Sequence, residues 1–463
     1  MFEKFANIFR IPDLRRRVLF TLGILAVYRL GAHITTPGVN VEALQQFFNS
    51  QAGSSLGLVD LFSGGNLRSM TVFALGIMPY ITASIIFQLL TVVYEPLAKL
   101  QKEGELGRRK ITQWTRYMTV GLGVVQSAAI AIALRSSSGN MLLDHGIGFI
   151  FMTIITLTAG TTFVMWLGEQ ITERGIGNGM SLLIFAGIVV GLPRAIGDLY
   201  DTAKTQRFGA FTIPALAGLV IFMIAVVAFI VWVEQSERRI PVQYAKRIVG
   251  RRLMGGQSTH LPLKVNSGGV MPIIFAASVL SAPMLFGQAA FVKNSAWLSS
   301  TFDALRPGEP WYELIYIVAI VFFAYFYISI VFRPDDIADN MRKYGGFIPG
   351  IRPGKRTSDF VNDILTRITM VGAIYLCVVA IIPQLLISGI HLNHLWLLGN
   401  WFEHMPLWVT QGLGFNFYFG GTSLLIVVGV AMDTVNQVES HLIMRHYEGF
   451  SPKSGRVRGR RAW

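Results

Sequence analysis

His391 and His394 stand at H-x-x-H spacing, with His404 further along the same stretch, "HLNHLWLLGNWFEHMPLWVTQG". Three histidines can hold zinc. No carboxylate or carbonyl partner set is readable around them, so exposed loop histidines account for the pattern and no metal is assigned. "GIRPGKRT", Gly350 to Thr357, has the look of a phosphate-binding loop. That loop needs four residues between its glycines, and Ser or Thr directly after the Lys to hold magnesium. Here three residues intervene and Arg356 follows Lys355. "RGIGNG", Arg174 to Gly179, reads as a tight turn between two apolar runs. H-E-x-x-H and paired intramembrane aspartates are missing from the chain, so the pattern points away from an enzyme and implies no cofactor.

The missing charges are as informative. The chain is 52% hydrophobic and 14% charged, with a mean hydropathy of +0.50. That is more apolar surface than a water-soluble chain of this length hides. Apolar runs lie near 18–34, 70–94, 117–134, 147–168, 175–193, 209–233, 267–292, 314–332, 368–388 and 413–432. Each approaches the roughly 20 residues that a helix needs to cross a bilayer, so ten spans are expected. Their middles hold no Asp, Glu or Lys; Glu169 and Asp433 sit at span ends. Ion-coupled carriers keep ionisable residues in their spans, which counts against a proton- or sodium-coupled carrier while leaving a solute facilitator open. The single cysteine, Cys377, cannot form an internal disulfide. The first run follows basic residues without a small-residue cleavage site and is expected to remain in the membrane.

Lys and Arg fix the expected orientation. Counting from the N-terminus, alternate connecting segments hold 32 of the 40, against 7 in the segments between them. By the positive-inside rule both termini are expected in the cytoplasm. Two of the basic segments, 234–266 and 333–367, are long and rich in turn residues. Ordered basic loops suit a partner bearing phosphates or acidic patches, ribosomal RNA among them.

"FSGGN", "ALGIMPYITASII", "EGELGRRK", "WLGEQITERGIGNG", "QSTHLPLKVN", "FIPGIRPGK" and "YFGGTSLLIV" run in this order from about residue 60 to residue 430. In these blocks the chain resembles the bacterial SecY family, the central subunits of the Sec protein-conducting channel. The resemblance implies an all-α membrane protein with ten transmembrane helices in two pseudo-symmetric five-helix halves, 1–200 and 201–433, around a central hourglass pore. A basic tail, 434–463, follows.

The resemblance also implies roles. Ile77, Ile81, Met180, Ile184, Ile274 and Ile426 would form an apolar pore ring. Ile77 and Ile81, like Met180 and Ile184, are spaced i, i+4 and share a helix face, a spacing that ordinary packing gives as well. Met180 stands where the family usually has a branched aliphatic. Residues 61–70 would form a plug, with Phe62, Ser63, Gly64, Gly65, Asn66 and Leu67 at its centre. Thr82, Gln126 and Asn266 match polar positions of a seam that opens sideways to lipid. Arg251, Arg252 and Arg352 would dock a motor or ribosome. The implied partners are the small subunits SecE and SecG, the SecA ATPase, the ribosome, unfolded signal-bearing polypeptides and anionic lipid; the implied place is the bacterial cytoplasmic membrane. The segment 389–412, with Trp396, Trp401 and Trp408, is longer than the family pattern suggests.

Overall fold

The computed structural model describes residues 11–50, 63–136, 146–193, 212–244, 258–287, 309–388 and 421–448, with short strands at 247–249 and 252–254 and a few isolated positions. One helix lies over each of the ten apolar runs. In chain order these are α1 (Pro12–Gly31), α3 (Met78–Val93), α5 (Glu105–Ser136), α6 (Ile147–Arg174), α7 (Gly179–Val190), α8 (Thr212–Gln235), α9 (Met271–Gly287), α10 (Pro310–Val331), α12 (Lys355–Ser388) and α13 (Gly421–Glu448). Three shorter helices lie between them: α2 (Val41–Ser50), α4 (Glu95–Lys102) and α11 (Pro334–Lys343). Among the described residues, six helices are long and apolar enough to cross a membrane singly, and α3 with α4 makes a seventh candidate bent by 99°. The apolar helices α7 and α9 are shorter.

The second apolar run is interrupted. Sequence reasoning expects an unbroken span over 70–94, yet α3 begins only at Met78. Three local features set that start. Gly76 has φ +54° and Met70 φ +44°, values incompatible with a right-handed helix. Pro79 lacks an N–H and has a φ suited to the first helical turn. Residues 63–77 instead form a chain of turns whose backbone donors are met internally: Met70 N to Leu67 O, Thr71 N to Asn66 O, Ala74 N to Thr71 O and Gly76 N to Phe73 O, all at 2.8–3.0 Å. Val72 N donates to Ile34 O, and Thr36 N to Met70 O, tying the segment to the chain that leaves α1. Buried backbone without such partners would be costly.

The described residues of the two long basic segments carry β-structure that the sequence pattern does not announce. β1 (Glu237–Tyr244) pairs antiparallel with β4 (Ser258–Lys264), from Glu237 opposite Lys264 to Gln243 opposite Ser258. Between them β2 (Arg247–Val249) pairs with β3 (Arg252–Met254). The free edge of β1 takes up β5 (Gly346–Phe347), which belongs to the other basic segment. Ile240 and Leu263 then share a small core with Ile348, Val361 and Leu365 at the start of α12. The two loops are therefore one folded module.

Leu263 is a test of that union. Truncating a buried Leu costs on the order of 2–5 kcal/mol. Leu263→Ala is expected to speed protease cleavage within 234–266 and 333–367 together, with the apolar helices still resistant. Cleavage of one segment alone would show that the two loops are not a single unit.

Candidate functional site

The centre of the molecule is a single large apolar core, fed by nearly every long helix. Ile77 and Ile81 at the start of α3, Ile184 on α7, Ile274 on α9 and Ile426 on α13 all lie in it, between 0% and 6% exposed. Five of the six residues expected at a pore ring thus converge, although up to some 350 positions separate them in the chain. Ile77 is the residue that caps α3, and Ile81 N donates to Ile77 O at 3.1 Å, so the two still share a face. Met180 is partly buried at the margin of this core. Its sulfur occupies the space a Cβ on Gly168 of α6 would need, so the flexible end turns toward α6.

Next to the core sits the segment expected to be a plug. Ser63, Asn66 and Leu67 are buried. Leu67, Met70, Ala74 and Leu75 join a second apolar cluster with Leu44, Phe149 and Leu157. Asp60 closes the turn: Ser63 Oγ and Gly65 N donate to its carbonyl at 2.9 and 2.8 Å, and Arg68 N donates to its Oδ1 at 3.0 Å. The Arg68 guanidinium lies 4.0 Å from Asp60 Oδ2. Leu61 and Phe62 fall outside the described residues.

The expected seam residues have separate partners. Thr82 Oγ1 donates back to Met78 O at 3.0 Å. Gln126 on α5 is 5% exposed, and its Oε1 accepts no hydrogen bond among the described residues. Asn266 Nδ2 donates to Glu234 Oε1 at 2.6 Å and to Gly269 O at 3.1 Å. No hydrogen bond among the described residues links these three side chains. α9 packs against both α3 and α5, with Ser278 Oγ 4.0 Å from Met78 Sδ.

Sequence reasoning missed the role of Glu234. With Asn266, Lys264, Asp433, Asn178 and Gln437 it lines a half-open polar cavity of about 440 Å³ at one end of the apolar core. The available signal was an acid at the close of an apolar run, beside a basic loop. The glycine-rich turn at Arg174–Gly179 borders this cavity, and its amides are already engaged. Ile176 N donates to Thr21 Oγ1, Gly177 N to Gln437 Oε1, Gly179 N to Thr172 Oγ1 and Met180 N to Asn178 Oδ1, at 2.9–3.1 Å. It joins α1, α6, α7 and α13 and leaves no nest for phosphate. "GIRPGKRT" is likewise a helix start: Thr357 Oγ1 donates to Arg352 O at 2.9 Å, and Ser358 Oγ to Asp335 Oδ1 at 2.5 Å. The two-residue strand ahead of it, β5, is antiparallel, unlike the strand that feeds a phosphate-binding loop.

Of the expected docking residues, Arg352 is exposed on the β-module and forms no ion pair among the described residues. Arg252 lies on β3, and Arg251 falls outside the described residues, as do His391, His394, His404 and the three tryptophans of 389–412.

A multispan helical frame, an apolar centre on which five isoleucines converge, and a buried non-helical segment against that centre define a channel-type membrane protein. The SecY family model matches residues 71–435. A protein translocase subunit SecY from Streptomyces griseus is 46% identical over 461 residues, covering 97% of this chain and 100% of that relative. The chain belongs to the SecY family, a family of channels and not of enzymes. Its fold is shared with a solved SecY whose plug domain is described as stabilising the closed state of the translocation channel and maintaining a membrane seal (TM-score 0.64, 17% identity, 95% of both chains). It is shared too with Sec61 in a canine ribosome-channel complex from the endoplasmic reticulum (TM-score 0.58, 16% identity, 95% of both chains).

Gln126 allows a prediction of sign. A buried polar group without a partner costs on the order of 1–3 kcal/mol, whereas an apolar group of similar shape does not. Gln126→Leu is therefore expected to raise the thermal midpoint of the purified protein. A lower midpoint would mean that Oε1 has a partner in the membrane.

Proposed function

We propose that this chain is the pore of a protein translocase: it passes unfolded secretory polypeptides across a membrane and releases apolar segments sideways into it. The observation that carries this reading is the convergence of Ile77, Ile81, Ile184, Ile274 and Ile426, from four helices, in one apolar core beside a buried turn segment. A narrow apolar constriction resists wetting and so blocks ions at rest. It offers no specific bonds, so it can close around any passing side chain. With Met180 at its margin, that cluster is the ring; Ser63 to Leu67, with Phe62, form the plug; and Thr82, Gln126 and Asn266 line the seam between α3–α5 and α9–α10. A solute facilitator would instead need a polar, substrate-shaped site at mid-depth, and no observation favours one.

The charge asymmetry of the connecting segments supports the cytoplasmic membrane of a bacterium, with both termini and the β-module in the cytoplasm. The helices then divide into halves at about residue 200, and 434–463 is a basic tail. Lacking a nucleotide site of its own, the chain would draw work from the SecA ATPase or the ribosome, docked on Arg251, Arg252 and Arg352. The planar guanidinium suits phosphate and carboxylate contacts. SecE and SecG complete the complex, and anionic lipid attracts the basic face.

A photo-crosslinker at Ile77 or Ile274 is expected to capture a stalled secretory chain. Capture only from lipid-facing positions such as Val93 or Ile155 would overturn the ring. Separately, Arg352→Glu is expected to slow export of a signal-bearing protein at least severalfold at normal channel levels, with a shallower dependence on salt. Export at the wild-type rate would remove Arg352 from the docking surface.

A further inference from the structure

The buried turn segment is not held by apolar contact alone. Tyr28, in the last turn of α1 and 5% exposed, stacks on Phe73 with ring centroids 5.6 Å apart and planes 8° from parallel. The stack aims its hydroxyl at the turn. Tyr28 Oη donates to Ser63 O at 3.4 Å and accepts from Asn66 Nδ2 at 3.3 Å. Asn66 Nδ2 also reaches Ser63 O, at 2.6 Å, so three groups meet at one buried point. On the other side Gly64 lies against α7 backbone to backbone. A Cβ on Gly64 would come 2.6 Å from the Cα of Gly187, and one on Gly187 would come 3.2 Å from the Cα of Gly64. α1 and α7 pack against each other here, and Gly187 faces the Tyr28 hydroxyl: its added Cβ would stand 3.7 Å from Oη.

We propose that Tyr28 and Gly187 form the latch that seats the plug: a hydroxyl that binds Ser63 and Asn66, and a notch that admits Gly64. This rests on the reading of residues 61–70 as a plug. The parts have complementary roles. The notch permits close approach but no directional bond, while the hydroxyl holds the turn at one height along α1. The long, off-ideal Tyr28 bonds suit a latch that must release, since hydrogen bonds weaken as they lengthen. A chain entering the pore has to break two such bonds and lift a glycine from a groove, without unfolding α1 or α7. Tyr28 and Gly187 are thus positioning residues that set how readily the channel leaves its resting state.

The test uses the full-length protein with its co-purifying subunits, Cys377→Ser to remove the native thiol, and Leu67→Cys as reporter in the plug. Two readouts are taken: the rate of maleimide labelling at position 67, and resting ion conductance in planar bilayers. Tyr28→Phe keeps the ring stack and removes the hydroxyl. It is expected to raise both readouts roughly three- to tenfold, the shift in population that losing about one net hydrogen bond gives. Gly187→Val fills the notch and is expected to raise both at least as far, with Gly187→Ala between wild type and Val. Ala is also the better helix former, so a rise with Gly187→Ala at an unchanged thermal midpoint is not general destabilisation. Deleting residues 63–69 is the control. If the deletion raises conductance while Tyr28→Phe and Gly187→Val leave both readouts at wild-type values, the latch is wrong and the plug stands. If the deletion leaves conductance unchanged, the plug reading fails and the latch falls with it.

Discussion

Everything in this molecule answers to one constraint: inside hydrocarbon a backbone N–H or C=O has no water to bond, so the chain must satisfy its own. Helices do so locally, and one helix lies over each apolar run. The exception is informative. Residues 64–77 leave the helical conformation although an apolar run begins at Met70. They do so where turns close their own hydrogen bonds, where Val72 N donates to Ile34 O and Thr36 N to Met70 O at the exit of α1, and where the Asp60 carbonyl and carboxylate accept from the turn. Non-helical backbone of this kind is tolerated when surrounded by protein. Surrounding it requires the neighbouring helices, and so the position of the turn dictates how α1, α6 and α7 stand around the centre.

The same low-polarity setting explains how the centre and its ends divide the work. The apolar core gathers aliphatic and aromatic side chains, while Glu234, Asn266 and Asp433 line a polar cavity where helices end. A charge placed at mid-depth would cost several kcal/mol and would bind one class of passing side chain in preference to others. An apolar constriction avoids both effects. It is well suited to a cargo defined by being unfolded, not by its sequence.

The β-module shows a different economy. Basic loops of some thirty residues hanging separately from helix ends would be conformationally broad, and ordering them on binding would oppose association. Joining them through β1 and β5, over a core of Ile240, Leu263, Ile348, Val361 and Leu365, orders them in advance. The basic side chains then project from a preformed surface. Arg352 stands exposed on a turn whose carbonyl is fastened by Thr357.

The sequence by itself determined the helical membrane class, the number of apolar runs, the charge asymmetry and the order of the family blocks, because these depend on local composition and on short-range pattern. It named Ile77, Ile81, Met180, Ile184, Ile274 and Ile426 as a ring only through resemblance; four-residue spacing among so many apolar residues carries little information. It read one apolar run, 70–94, as a single span, since hydropathy does not register the positive φ at Met70 and Gly76. Only the tertiary structure decided that these isoleucines share a core, that two loops a hundred residues apart form one sheet, and that Tyr28 meets Ser63 and Asn66 beside Gly187. Each is a meeting of residues distant in the chain. No local periodicity encodes such meetings, and they are settled by which surfaces fit once every buried backbone group has found a partner.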